Sequence, residues 1–265
     1  MNQRANIDIN RIIQVAKKAS DVILNIYERE TQDWEVRTKV DSSPLTLADR
    51  ESNDIICSEL ALLSPKFPVI SEENKEIPYE ERKKFKSFWL IDPLDGTKEF
   101  LKRNGEFTVN IALIDKQQPV MGVVYFPVFK KVYFAEKNKG AFSMDENGII
   151  TPLTAKSFRL SDKNLTIVAS RSHINEETLS FMSRFDQAKT ISMGSSMKLI
   201  LVAEGKAHLY PRLGPTMEWD TAAAQIIVEE AGGKVKDFYT GENMKYNKES
   251  LLNKHFIVEG CVSDS

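Results

Sequence analysis

Apolar positions along this chain follow two periods, and the switches between them outline its elements. Between Asp8 and Glu28, Ile9, Ile12, Ile13, Ala16, Ala19, Ile23, Ile26 and Tyr27 recur at helical spacing, with Lys17, Lys18 and Asp21 opposite. That is the signature of an amphipathic helix packed on a core. Trp34, Val36, Thr38 and Val40 alternate with polar neighbours, which predicts a half-buried strand. After a turn at Ser42, Ser43 and Pro44, a second helix is expected through Leu62. Two short apolar stretches, Val69 to Ser71 and Phe88 to Ile91, each run into acids and read as strands. The charge run from Tyr79 to Lys84 between them reads as a solvated helix or loop.

Further along, apolar runs at 107–114, 120–125, 132–135 and 141–144, parted by turn residues, predict an antiparallel meander. From Leu165 the texture changes. A strand over 165–169, helices near 176–185 and 195–203, a strand over 207–210 and a helix ending at Ala231 before Gly232 and Gly233 imply a layered α/β unit. A boundary among residues 154–161 divides the chain into an amino-terminal α+β part, 1–157, and a carboxyl-terminal α/β part, 158–265. No repeat of fixed period and no low-complexity linker interrupts it.

Composition narrows the class. With 265 residues, 42% of them hydrophobic and 28% charged, the chain can bury a sizeable core. A net charge of -2 argues against binding polymeric nucleic acid, which needs a basic face, but leaves a small anionic substrate open. Cys57 and Cys261 lie far apart without CxxC spacing, which suggests neither a disulfide framework nor zinc and fits a reducing cytoplasm. No apolar stretch is long enough to cross a bilayer, and residues 1–6 lead into charged sequence rather than a signal peptide.

The densest chemistry lies at Trp89-Leu90-Ile91-Asp92-Pro93-Leu94-Asp95-Gly96-Thr97. A buried strand here would deliver two carboxylates at its end. Pro93 holds Asp92 extended, Gly96 lets backbone approach a ligand, and Thr97 could open a helix whose free N–H groups bind an anion. Carboxylate oxygens suit Mg²⁺, usually held by a few acids plus substrate phosphate. Read alone, such acids also serve as helix caps facing water. The same holds elsewhere: Thr46 and Asp49 suit a helix start, Glu72 and Glu73 a solvated strand end, and Asp220 an N-cap before the alanine-rich stretch from Ala222.

These residues together resemble the lithium-sensitive, Mg²⁺-dependent phosphatases of the inositol monophosphatase superfamily, and more closely the bacterial 3'(2'),5'-bisphosphate nucleotidases of the CysQ type. The likeness spans nearly the whole chain. It rests on the Asp92 to Thr97 motif, on Lys39-Val40-Asp41-Ser42-Ser43-Pro44-Leu45-Thr46-Leu47-Ala48-Asp49, which matches a mobile loop of the family, and on Trp219-Asp220 followed by small residues. The resemblance implies the superfamily's layered α/β (α+β) sandwich, with an antiparallel amino-terminal sheet. It implies two Mg²⁺ ions, one on Glu72, Asp92 and the Leu94 carbonyl and one on Asp92, Asp95 and Asp220, with a third weaker ion near Glu72 as a variant. Thr97, oriented by Asp49, and Glu72 would position the attacking water, and Gly96 and Thr97 N–H groups would grip the phosphate.

Gly194-Ser195-Ser196-Met197-Lys198 and Tyr210-Pro211-Arg212 look like the bisphosphate nucleotidase branch. They imply that Ser195, Lys198 and Arg212, with His173 a weaker candidate and Asp220 nearby, contact the adenosine monophosphate moiety. By themselves these clusters read equally as helix caps and surface ion pairs. The short segment between Arg212 and Asp220 departs from eukaryotic members of the branch and leaves the contacts of Arg212 open. The expected activity is hydrolysis of the 3'-phosphate of adenosine 3',5'-bisphosphate, and of 3'-phosphoadenosine 5'-phosphosulfate in a broader enzyme, in the setting of sulfur metabolism. An inositol or sugar monophosphatase and a non-catalytic nucleotide-binding regulator are the rivals. Peripheral attachment at the inner face of the cell membrane, and the choice between monomer and homodimer, stay open.

Overall fold

A computed structural model describes residues 7–39, 44–170 and 175–263. Helix α1, Ile9–Tyr27, starts at an Asp8 cap whose carboxylate accepts from Asn10 N at 2.9 Å. Its apolar stripe, Ile12, Ile13, Ala16, Ala19, Ile23 and Ile26, is fully buried. Helix α2, Leu47–Ala61, packs beside it. The expected strand around Trp34 does not form. Thr31–Trp34 is a 3-10 turn with Trp34 buried, Val36 is exposed, and only Arg37–Thr38 pairs, with Pro44–Leu45. Burial of the Trp34 ring against Phe100, with its Nε1–H given to the Ile26 carbonyl, overrides the alternation. Val40 lies outside the described residues.

Seven strands form the main sheet: β1 Val69–Ser71, β2 Ser87–Asp95, β3 Thr108–Asp115, β4 Gln118–Phe126, β5 Lys131–Glu136, β6 Ala141–Met144 and β7 Ile150–Pro152. β1 and β2 are parallel, and every later pair is antiparallel. The meander is as expected. Between β1 and β2 the charge run forms the short helix α3, Tyr79–Arg82, with Glu80, Glu81, Lys83 and Lys84 exposed as expected and Arg82 alone departing. Arg82 is buried and donates to Asn247 Oδ1 and to the carbonyls of Lys248 and Glu249, which removes its charge from water at the cost of several specific acceptors.

Because strand residues alternate faces, β2 contributes to two cores. Trp89 and Ile91 join α1 and α2 on one side, while Phe88 and Leu90 join the opposite core. That second core includes α6, Met197–Ala203, and α7, Ala222–Glu230, and extends to Val168, Tyr210 and Val258 of a second sheet. The second sheet has the order β9-β8-β10-β12-β11, where β8 is Thr166–Ser170, β9 Lys189–Met193, β10 Leu209–Arg212, β11 Lys234–Asp237 and β12 Phe256–Glu259. β8 runs parallel to β9 and β10, and β12 runs antiparallel to β10 and β11. Helix α5, Glu176–Met182, and a small core around Phe181, Leu209 and Ile257 cover its outer face. The result is a layered α/β sandwich in which one core is common to both sheets.

Candidate active site

The site begins with an irregularity in β2. Asp92 pairs with Asn110 and Asp95 with Thr108, so three steps along β2 match two along β3. In a regular strand, residues three apart point to opposite faces; one extra residue in a bulge returns them to the same face. Pro93, which cannot donate to the ladder, lies in the bulge. Asp92, Asp95 and Asp220 consequently bring carboxylate oxygens within 4.8 Å of one another.

Backbone donors fix each acid. Leu94 N donates to Asp92 Oδ1 at 3.0 Å, Ser196 N to Asp95 Oδ2 at 2.5 Å, and Met217 N to Asp220 Oδ2 at 2.8 Å. Asp220 closes the 3-10 turn Glu218–Asp220 just ahead of α7. The alanine-rich helix starts at Ala222 with Thr221, not Asp220, in the N-cap position. Burial and mutual repulsion hold Asp92 and Asp220 well above the usual carboxylate range, and burial lifts Asp95 to about 6 against the opposing pull of Lys198. Acids raised by burial and by one another, with hard oxygen donors, fit a divalent cation such as Mg²⁺.

Asp49 joins a helix start to the β2 turn. Its Oδ2 accepts from Thr46 N at 2.7 Å and Thr46 Oγ1 at 2.6 Å, capping α2, while Thr97 Oγ1 lies 3.1 Å from its Oδ1. The carboxylate is 1% exposed, and burial pushes it up to about 6. The Thr97 hydroxyl is also 3.4 Å from the Leu94 carbonyl. Gly96, at φ +100°, ends the β2 turn, and Thr97 starts the five-residue helix α4, Thr97–Leu101.

Glu72 lines the same cleft without joining the three convergent acids. Its Oε1 accepts from Lys39 Nζ at 2.7 Å, and the same ammonium reaches Glu73 Oε1 at 2.5 Å. Residues 40–43, the remainder of the loop matched to the family, lie outside the described residues, as does His173.

Across the cleft, the polypeptide reaches α6 two residues later than expected, since Ser195 is in the left-handed region at φ 45° and the helix starts at Met197. Ser196 Oγ lies 2.9 Å from Asn110 Oδ1 and 2.8 Å from Thr108 Oγ1. Lys198 donates to the Ser195 carbonyl at 2.5 Å and is lowered to about 8, chiefly by burial. Arg212, within β10 rather than after a strand, is 8% exposed and gives Nη2 to the Pro215 carbonyl at 2.7 Å. Its buried Nε has no hydrogen-bond partner among the described residues. Glu72, Asp92, Leu94, Asp95, Gly96, Thr97, Ser195, Lys198, Arg212 and Asp220 all line one cleft of about 470 Å³.

Sequence reasoning missed Ser196, Asn110 and Lys39 as members of this neighbourhood. Ser196 had a visible signal, its place beside Ser195 at a helix start. Asn110 had none, because it enters the site only through its pairing with the bulge.

The fold and cleft together point to a class, and the profile of the inositol monophosphatase family matches residues 7–260. The chain belongs to this family. Among its relatives, the 3'(2'),5'-bisphosphate nucleotidase CysQ of Salmonella typhimurium is 43% identical over 251 residues, 94% of this chain and 98% of that protein. Among solved structures, CysQ from Bacteroides thetaiotaomicron matches at a TM-score of 0.84 and 43% identity, covering 97% of this chain and 98% of the other. The extragenic suppressor protein suhB from Bartonella henselae matches at 0.77 and 28% identity, covering 95% and 93%. Among the described residues, no helix is long and apolar enough to cross a membrane.

Proposed function

We propose that this chain is a Mg²⁺-dependent 3'(2'),5'-bisphosphate nucleotidase that converts adenosine 3',5'-bisphosphate to AMP and inorganic phosphate. The observation that carries the reading is the meeting, in one cleft, of three crowded carboxylates with the two buried cations Lys198 and Arg212. One cluster suits a hard metal; the other suits a phosphate that is not being cleaved. The 43% identical nucleotidase of Salmonella typhimurium supports the same substrate.

Asp92, Asp95 and Asp220, with Glu72 and the Leu94 carbonyl, are the ligand set for two Mg²⁺ ions, or three with one near Glu72. Held by these residues, Mg²⁺ would supply activation of the attacking water and compensation of the charge that builds on the attacking and leaving oxygens. The Thr97 hydroxyl, its proton directed to ionised Asp49, keeps its lone pairs free to accept from the attacking water. Glu72 accepts the second hydrogen of that water. Gly96 and Thr97 N–H groups receive the phosphate oxygens as negative charge builds. Water attacks phosphorus and gives up a proton to solvent, the bond from phosphorus to the 3' oxygen breaks, that oxygen takes a proton from solvent to leave as the 3' hydroxyl of AMP, and no residue is phosphorylated. Ser195, Lys198 and Arg212 hold the 5'-phosphate, with Arg212 able to offer its unpartnered Nε beside Nη2.

The test is phosphate release with Mg²⁺ from adenosine 3',5'-bisphosphate and from inositol 1-phosphate, with and without Li⁺. Lithium-sensitive preference for the nucleotide is the expected result. Preference for the inositol ester would transfer the chain to the monophosphatase branch, and binding of the nucleotide without release from either would make it a non-catalytic regulator. Size-exclusion chromatography with light scattering is expected to return a monomer or homodimer.

A further inference from the structure

We infer that Glu106 is a positioning residue that sets the spacing between the cleaved-phosphate turn and the second-phosphate loop, and thereby the preference for bisphosphates; this rests on the nucleotidase reading above. Glu106 lies in the connection between α4 and β3 and does not line the cleft. Its backbone nevertheless touches both sides of the site. A Cβ at Gly96 would stand 3.0 Å from the Glu106 carbonyl oxygen, and a Cβ at Gly194 would stand 2.9 Å from the same atom. Two turns 98 residues apart in sequence, counting from Gly96 to Gly194, thus close on one carbonyl. Only residues without side chains fit at that approach.

The side chain adds the directional contact. Gly194 N donates to Glu106 Oε2 at 2.7 Å. The next residue, Ser195, is held at φ 45°, a region that non-glycine residues adopt only under local constraint. Ser195 O then accepts from the Lys198 ammonium, and Ser196 N donates to Asp95 Oδ2. The loop is pinned at one end by Glu106 and at the other by Asp95. Glu106 is itself held, because its N–H donates to Asn104 Oδ1 at 2.9 Å. A carboxylate beside an anion subsite opposes the ligand through its charge, so its favourable contribution is geometric. Releasing Gly194 leaves Asp92 and Asp220 on donors outside the loop, Leu94 N and Met217 N, and leaves the Ser196 end of the loop on Asp95, but frees the Gly194 end, with the Ser195 carbonyl that holds Lys198, to drift from the second phosphate.

The experiment compares wild type, Glu106→Ala and Glu106→Gln on adenosine 3',5'-bisphosphate and on p-nitrophenyl phosphate, which has no second phosphate. For Glu106→Ala, KM for the bisphosphate is expected to rise about tenfold, the worth of one hydrogen bond to a charged acceptor, with a far smaller change on the monoester. Glu106→Gln keeps an acceptor without the charge and should recover most of the loss in KM. Gly194→Ala, whose Cβ would meet Glu99 Cγ at 2.8 Å, displaces the same loop by another route and should reproduce the split. Equal losses on both substrates, or an unchanged ratio in both Glu106→Ala and Gly194→Ala, would overturn the role of Glu106. A wild type without preference for the bisphosphate would instead overturn the nucleotidase reading, and the positioning role with it.

Discussion

The acidic and basic walls of the cleft are built by opposite means. Asp92, Asp95 and Asp220 sit on backbone donors, face each other, and are pushed up in pKa. Lys198 and Arg212 rest on backbone carbonyls, of Ser195 and Pro215, and Lys198 is pushed down. Lys198 and Asp95 ease each other, but burial outweighs that relief in both. The acids suit a cation of higher charge than one ammonium, whereas the bases rest on neutral acceptors with which an anion would compete. Each wall is therefore completed by a ligand of opposite charge, and a metal-bound phosphate ester with a second phosphate satisfies both.

The largest expected effect breaks the acidic wall. Asp92→Asn should abolish phosphate release while circular dichroism shows a retained fold, since the amide fills the same volume without the charge; undiminished turnover would sink the assignment. A second effect is read in stability. The folded-state pKa values of Asp49 and Asp95 are about 6, and those of Asp92 and Asp220 are also raised, all above the unfolded range near about 4. The folded state thus binds more protons, so their favourable contribution is full below about pH 4 and is lost as pH rises through about 6. Metal-free protein should show its thermal midpoint falling across that window, and Mg²⁺ should raise the midpoint more at pH 8 than at pH 5, because the ligands must be ionised. An equal Mg²⁺ effect at both values would count against a carboxylate metal site.

The basic wall gives the next effect. Lys198→Met should raise KM for adenosine 3',5'-bisphosphate about tenfold or more, as expected for a lost charge-assisted contact, with less change on a simple monoester. Lys198 is charged below about 8, so wild-type KM should climb as pH rises through that value and the limb should vanish in the variant. Persistence of the limb would assign it to another group. An effect of comparable size tests the junction: Asp49→Asn should lower kcat roughly 10-fold by turning an acceptor for Thr97 into a mixed donor and acceptor, with KM little moved. A change confined to KM would place Asp49 outside water orientation.

Much of this molecule was legible in its residues because local rules and tertiary demands agree. The stripe of α1, the Thr46 and Asp49 helix start, the meander and the two acid-ended strands all follow periodicity and capping. Where they disagree, packing won. Trp34 left the strand pattern to stack in an aromatic core, Arg82 left a charge run to be buried, and β9, with its mostly exposed pattern, gave no apolar run to detect.

The sequence alone determined which chemistry is available: an Asp-Pro-Leu-Asp-Gly-Thr turn after a buried strand, a second acid before a helix, and two basic clusters. Such residues are specified locally, since propensity, turn chemistry and charge act within a few positions. Only the tertiary structure decided that they form one site. The bulge that puts Asp92 and Asp95 on one face exists through the register with β3, Asp220 reaches them because α7 packs on that sheet, and Glu106 joins Gly96 to Gly194 through contacts that no sequence spacing encodes. Long-range proximity is set by how the layers bury their shared core, and that is a property of the whole chain.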